Sequence, residues 1–152
     1  ALSIRVDDER LVSGRRALVV EDGPTLTHGG MSYGAGVLIA RRLGAALVDP
    51  RPFAAPSIAA IYAQYPHLGP VLPAMGYGGE QLADLAATIE ATPCDVVICA
   101  TPVDLRRLIP QRRPMARISY ELVPHPEEAL ARRVVDVIRC VSGSTHPRTA
   151  PS

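Results

Sequence analysis

The sequence contains no lysine and almost no excess charge of either sign: sixteen basic residues face fifteen acidic ones, for a formal +1. That balance supplies no general field to hold a nucleic-acid backbone, so DNA or RNA binding is not expected. The missing lysine also removes any phosphate loop of the GxxxxGK[ST] kind. Cysteine is scarce. Cys94, Cys99 and Cys140 have no metal-like spacing, with one another or with His67, His125 and His146, which argues against a zinc site. Two of the three cysteines sit in apolar runs and read as core thiols in a reducing compartment. Long hydrophobic runs are absent too: none approaches the length that crosses a bilayer, and no positive segment followed by an apolar stretch opens the chain. A cytoplasmic protein without membrane contact is the expectation.

What is present is the material of a compact core. Hydrophobic residues make up 47% of the 152 residues, enough for one domain that needs no staples. The chain opens at Ala1 directly on patterned sequence, as expected of a piece of a longer protein.

The stretch ALVVEDGPTLTHGGMSYGAGVLIARRLG organises the reading. Residues 17–20 form an apolar run without alternation, as in a strand buried on both faces, and Glu21, Asp22, Gly23 and Pro24 end it. From Ser32, a candidate cap, the pattern turns helical through Leu38 and Ile39 and stops at Gly44. Gly34 and Gly36 weaken that helix by roughly 1 kcal/mol each, so close packing or close ligand approach is the reason for them. Further strands are expected at 45–48, 71–74, 94–100 and 116–120, with intervening helices from 57, from about 80 and at 126–141. The alternation at Leu2, Ile4 and Val6 allows an extra N-terminal edge strand.

This order predicts an α/β fold: a three-layer αβα sandwich around a mostly parallel five-stranded sheet with the order 3-2-1-4-5. Residues 1–141 read as a single Rossmann-like domain and 142–152 as a flexible tail. The first buried strand is then central, with the loop at Thr101 beside its own loop across the switch point, where such sheets place ligands.

The residues suited to chemistry lie after the strands. Glu21 and Asp22 offer oxygens to magnesium. Thr25, Thr27, Gly29 and Gly30 offer hydroxyl and N–H donors to an anion, and His28 can contact an anion or carry a proton. Gly76 and Gly78 bring backbone donors toward the start of a helix. Thr101 and Asp104 have the character of a base-reading loop, and Arg51, Arg106 and Arg107 can each pair with phosphate oxygens. Turns, caps and solvated charges are the competing account of each. GGMSYGAG is only a distorted GxGxxG, which argues against a dinucleotide oxidoreductase.

The runs VVEDGPTLTHGGMSYGAG, VDPRP, YPHLGPVLPAMGYG and CDVVICATPVDLRRLI together resemble the distal part of cyclic 2,3-diphosphoglycerate synthetase and its GTPase-like relatives, over about residues 14–122. The resemblance implies a P-loop-class enzyme using ATP or GTP with Mg2+ to close a small phosphorylated substrate into a cyclic phosphoanhydride. It implies a partner as well: an N-terminal, P-loop-bearing portion of the same parent protein. Under it Asp22 is the magnesium ligand, His28 the anion contact or proton carrier, and Thr25 and Thr27 the hydroxyl donors. A non-catalytic regulatory or assembly module is the alternative, and a homo-oligomer is compatible with either.

Overall fold

In a computed structural model, residues 2–110, 112–122 and 126–142 are described. His125, His146 and the expected tail from 143 onward lie outside the described residues, as does the Cys140 side chain. The elements run β1 (Leu2–Val6), α1 (Glu9–Val12), β2 (Arg16–Asp22), α2 (Gly23–Gly29), α3 (Ala35–Arg42), β3 (Ala46–Leu47), α4 (Pro56–Gln64), β4 (Leu72–Ala74), α5 (Gly79–Ala91), β5 (Val96–Ala100), β6 (Met115–Leu122) and α6 (Pro126–Ser142). Tertiary contacts group them into a larger unit, Ile4–Tyr120, and a smaller one that contains α6.

The fold is α/β with a six-stranded sheet in the order β1-β6-β5-β2-β3, and β4 also pairs with β2. β2 pairs in parallel with β3, β4 and β5, and β5 in parallel with β6. The central place expected for residues 17–20 is therefore observed, as is the neighbouring strand that leads to Thr101. One part of the order differs. The strand at 72–74 pairs directly with β2 rather than standing outside β3. β3 is only two residues long and meets β2 at Arg16 and Ala17, so the upper edge of β2, Val20 to Asp22, is left for β4.

Side chains alternate across each strand, and here both sets are buried. Ala17, Val19, Val96 and Ile98 pack with Val37, Ile39 and Ala40 of α3 on one face. Leu18, Val20, Val97 and Cys99 pack with Leu85 and Ile89 of α5 on the other. Removing each larger aliphatic side chain from water contributes about 1.5–3 kcal/mol, which is why the two strands without polar alternation anchor the unit. Cys94 and Cys99 are free and buried within this packing.

A second difference concerns the connection after β2. The sequence reads as a loop from Glu21 to the cap at Ser32, yet residues 23–29 form a helix. Asp22 caps it by accepting from the Thr25 N–H at 3.3 Å, and Pro24 occupies its first turn, where the missing N–H costs nothing. It ends at Gly30, whose φ of 63° is the left-handed conformation that glycine adopts freely. Nor does Ser32 cap the following helix; α3 begins after Gly34.

Candidate functional site

Adjacent residues of a strand point to opposite faces, so the two carboxylates at the end of β2 cannot act as one chelating pair. Glu21 turns to the α3 face and is buried at 4% exposure. Its Oε1 accepts from the backbone N–H groups of Gly34 and Val37, both at 3.2 Å, and so caps α3 from a neighbouring strand. Gly34 and Gly36 make room for it. A Cβ on Gly34 would stand 2.6 Å from Glu21 Oε2, and one on Gly36 would collide with Val19 Cγ1 and stand 2.9 Å from Glu21 Oε1. Burial pushes the Glu21 carboxyl up to about 7, against the opposing pull of its backbone donors.

Asp22 turns the other way. One of its oxygens, Oδ2, accepts from the N–H and hydroxyl of Thr25, and the residue lines a cleft of about 470 Å³ with Thr25, Thr101, Arg117, Ser119 and Tyr120. Three parallel strands build this cleft at their carboxyl ends: β2 supplies Asp22, β5 runs into Thr101, and β6 supplies Arg117 to Tyr120. This is the position at which open α/β sheets bind ligands. Arg117 holds its place through two contacts. Its N–H donates to Asp7 Oδ1 at 2.9 Å and its Nη2 to the Pro102 carbonyl at 3.0 Å. Its Nε is buried without a hydrogen-bond partner among the described residues. The Tyr120 hydroxyl is pushed above its ordinary value by burial first and then by the negative charges of Glu21 and Asp22.

Of the residues singled out in the sequence, Asp22, Thr25 and Thr101 meet in this cleft. The others fall elsewhere or are spent on the protein. The Thr27 hydroxyl donates back to the Gly23 carbonyl at 3.1 Å. His28 is exposed in the last turn of α2, and Gly29 and Gly30 close that helix. Gly76 lies in a separate cavity of about 200 Å³ with Ser57, Met75 and Gln81, and Gly78 precedes α5. Asp104 accepts from Arg106 through the backbone and both arms of the guanidinium, which holds its carboxyl below the ordinary range. Arg106 also reaches Asp7 at 2.8 Å. Arg51 forks onto Asp49, and Arg107 stands exposed on the short turn after Asp104. Arg117, Ser119 and Tyr120 were missed from sequence, where 116–120 reads only as a strand. The available signal was an arginine inside the otherwise apolar run MARI.

The starts of α2 and α3 do not offer free donors to a polyphosphate. The N-terminus of α2 is already met by the Asp22 carboxylate and that of α3 by the Glu21 carboxyl, so these backbone donors face acidic side chains of the protein. Nor do the residues fit a resident cation: no group of three or more His, Cys, Asp or Glu among the described residues could hold a metal ion, and Glu21, expected as a magnesium ligand, is a helix cap.

Comparisons with known proteins give one named likeness. Over 123 residues, 80% of this chain, the sequence is 55% identical to arginine synthetase ArcE of Thermococcus kodakarensis. The matched stretch is 28% of that protein, so the chain spans little more than a quarter of the relative's length. This match corrects the reading from sequence: a relative this similar is named for arginine and not for a cyclic diphosphoglycerate, so the cyclase and P-loop GTPase assignments fall. No protein-family model and no solved structure matches. No helix among the described residues is long and apolar enough to cross a membrane.

Proposed function

We propose that this chain is one domain of a larger amino-acid ligase of the arginine synthetase type, and that the cleft at the carboxyl ends of β2, β5 and β6 is where the domain meets its small-molecule ligand. The observation that carries the reading is that cleft, with Asp22, Thr25, Thr101, Arg117, Ser119 and Tyr120 converging on it, in a chain 55% identical to part of a protein named for making arginine. A synthetase draws its driving force from a nucleotide, so ATP or GTP with its Mg2+ belongs to the proposal. The two carboxylate-capped helices favour a nucleotide held by the remainder of the polypeptide, which is the partner this reading requires.

The helices on the two faces of the sheet are read as the outer layers of an αβα sandwich. The free, buried thiols of Cys94 and Cys99 suit a reducing compartment, which makes the cytoplasm the proposed location. The test is an assay of the longer protein that contains this chain, with nucleotide and magnesium, following free arginine by amino-acid analysis. A nucleotide-dependent change in arginine is expected. Unchanged arginine across ATP, GTP and their diphosphates would overturn the reading.

A further inference from the structure

The cleft holds both signs of charge, and no ion pair joins Asp22 to Arg117 within it. Asp22 faces Thr25, which engages one oxygen, while Arg117 spends Nη2 on the Pro102 carbonyl and leaves Nε buried without a partner among the described residues. Three ligand classes can be weighed against this. An anion alone would meet the Asp22 carboxylate in the same cleft, with Glu21 on the opposite side of the strand end. A cation alone would meet the like charge of the Arg117 guanidinium in the same cleft. A dipolar ligand, cationic at one end and carboxylate at the other, satisfies both walls at once. The cleft, about 470 Å³, lies within the ~300–1,000 Å³ range typical of small-ligand sites.

We infer that the cleft between β2, β5 and β6 binds a free amino acid with a cationic side chain, Asp22 taking the cationic end and Arg117 the α-carboxylate. The inference rests on the ligase reading for the choice of arginine as the ligand to try first. Within the site the roles divide by chemistry. A carboxylate accepts the planar guanidinium through charge-assisted hydrogen bonds, and the Arg117 fork returns the same geometry to the ligand's carboxylate. Thr101 is the less available hydroxyl, because its Oγ1 already donates to the Val103 carbonyl at 2.7 Å. Ser119 and Tyr120, both exposed at the rim, are the uncommitted polar groups for the ligand's α-amino group.

Titration calorimetry on this chain tests the inference with four probes: L-arginine, agmatine (which lacks the carboxylate), L-norvaline (which lacks the guanidinium) and ATP. L-arginine is expected to bind, with agmatine and L-norvaline each at least about tenfold weaker. Asp22→Asn preserves the cap on α2, because asparagine caps as well as aspartate, so the fold is retained. It should weaken L-arginine by about 10- to 100-fold and leave L-norvaline unchanged. Arg117→Gln should weaken L-arginine to a similar degree and leave agmatine unchanged. That crossed pattern is the signature a merely structural role would not produce. Binding of ATP in the cleft, strengthened by Asp22→Asn, would overturn the inference, as would no heat from L-arginine at millimolar concentration. Its fate separates from that of the ligase reading: arginine turnover by the longer protein with a KM indifferent to Asp22→Asn sinks the inference alone. Crossed arginine binding here without nucleotide-dependent arginine turnover sinks the ligase reading alone.

Discussion

Two glycine-rich junctions follow buried strands in this chain, and they differ in what occupies the space the missing side chains leave. After β2, the room at Gly34 and Gly36 is filled by the Glu21 carboxylate and by Val19. After β4, a Cβ on Gly76 would collide with the flexible end of Gln81, but nothing stands within 4 Å of one on Gly78 or Gly79, at the helix start itself. The same residue type thus serves opposite ends: at the first junction glycine lets the protein close on itself, and at the second it leaves the start of a helix open. A sealed junction contributes stability and takes no ligand. The ligand-sized space at the first junction lies on the other side of β2, where Asp22 faces the cleft.

The largest effect expected from this contrast is a pH dependence at the sealed junction. Burial raises the Glu21 carboxyl from 4.5 to about 7 in the folded protein, so the folded state holds this proton more tightly than the unfolded chain does. The associated stability is fully present below 4.5 and falls as pH rises through about 7. Full deprotonation costs roughly 3 kcal/mol. Glu21→Gln keeps an oxygen for the Gly34 and Val37 N–H groups and removes the titration. Urea denaturation at pH 5 should give variant and parent similar stabilities, and at pH 8 the variant should be more stable by up to that amount. Equal pH slopes for the two proteins would mean that the carboxylate is not sealed.

Gly36→Ala breaks the same junction by volume. The new methyl group meets Val19 Cγ1 and Ala100 Cβ from the core and Glu21 Oε1 from the cap, and none of the three can give way cheaply. Overpacking of this kind costs about 1–3 kcal/mol, and displacement of the cap brings the expected loss to the upper part of that range. A shift of the urea midpoint with an unchanged slope would report it.

The elements that the hydrophobic effect alone decides were legible in the sequence, and those decided by a single side chain reaching across the fold were not. Residues 17–20 and 96–100 announce buried neighbouring strands because no polar residue interrupts them, and Leu82, Leu85 and Ile89 mark α5 by their spacing. Pairing β4 directly with β2 depends on β3 stopping after two residues, which no local pattern records. The helix at 23–29 was hidden by weak intrinsic propensity, although Asp22 followed by Pro24 was its start signal. Of the candidate site, Asp22, Thr25 and Thr101 were legible because polar groups after buried strands sit where ligands bind. Arg117 and Tyr120 were not, since a strand's register decides which side chains reach its end. The resemblance to the cyclase misled about activity because a long shared stretch identifies a scaffold, while activity belongs to the site built on it.

The smallest effect belongs to the open junction, and its sign is the informative part. Gly79 is the first residue of α5, and its added methyl group would meet nothing. Gly79→Ala removes unfolded-chain freedom without a steric cost, so it should stabilise by about 0.5 kcal/mol, measured in the same urea titration. Destabilisation would show that the junction is as closed as the one after β2. A stabilised variant with unchanged L-arginine affinity would place the ligand away from this helix start, in keeping with the cleft at Asp22. A stabilised variant with weakened L-arginine binding would instead mean that a ligand approaches the α5 backbone closely enough for one methyl group to obstruct it, and the two glycine-rich junctions would then differ in purpose as well as in packing.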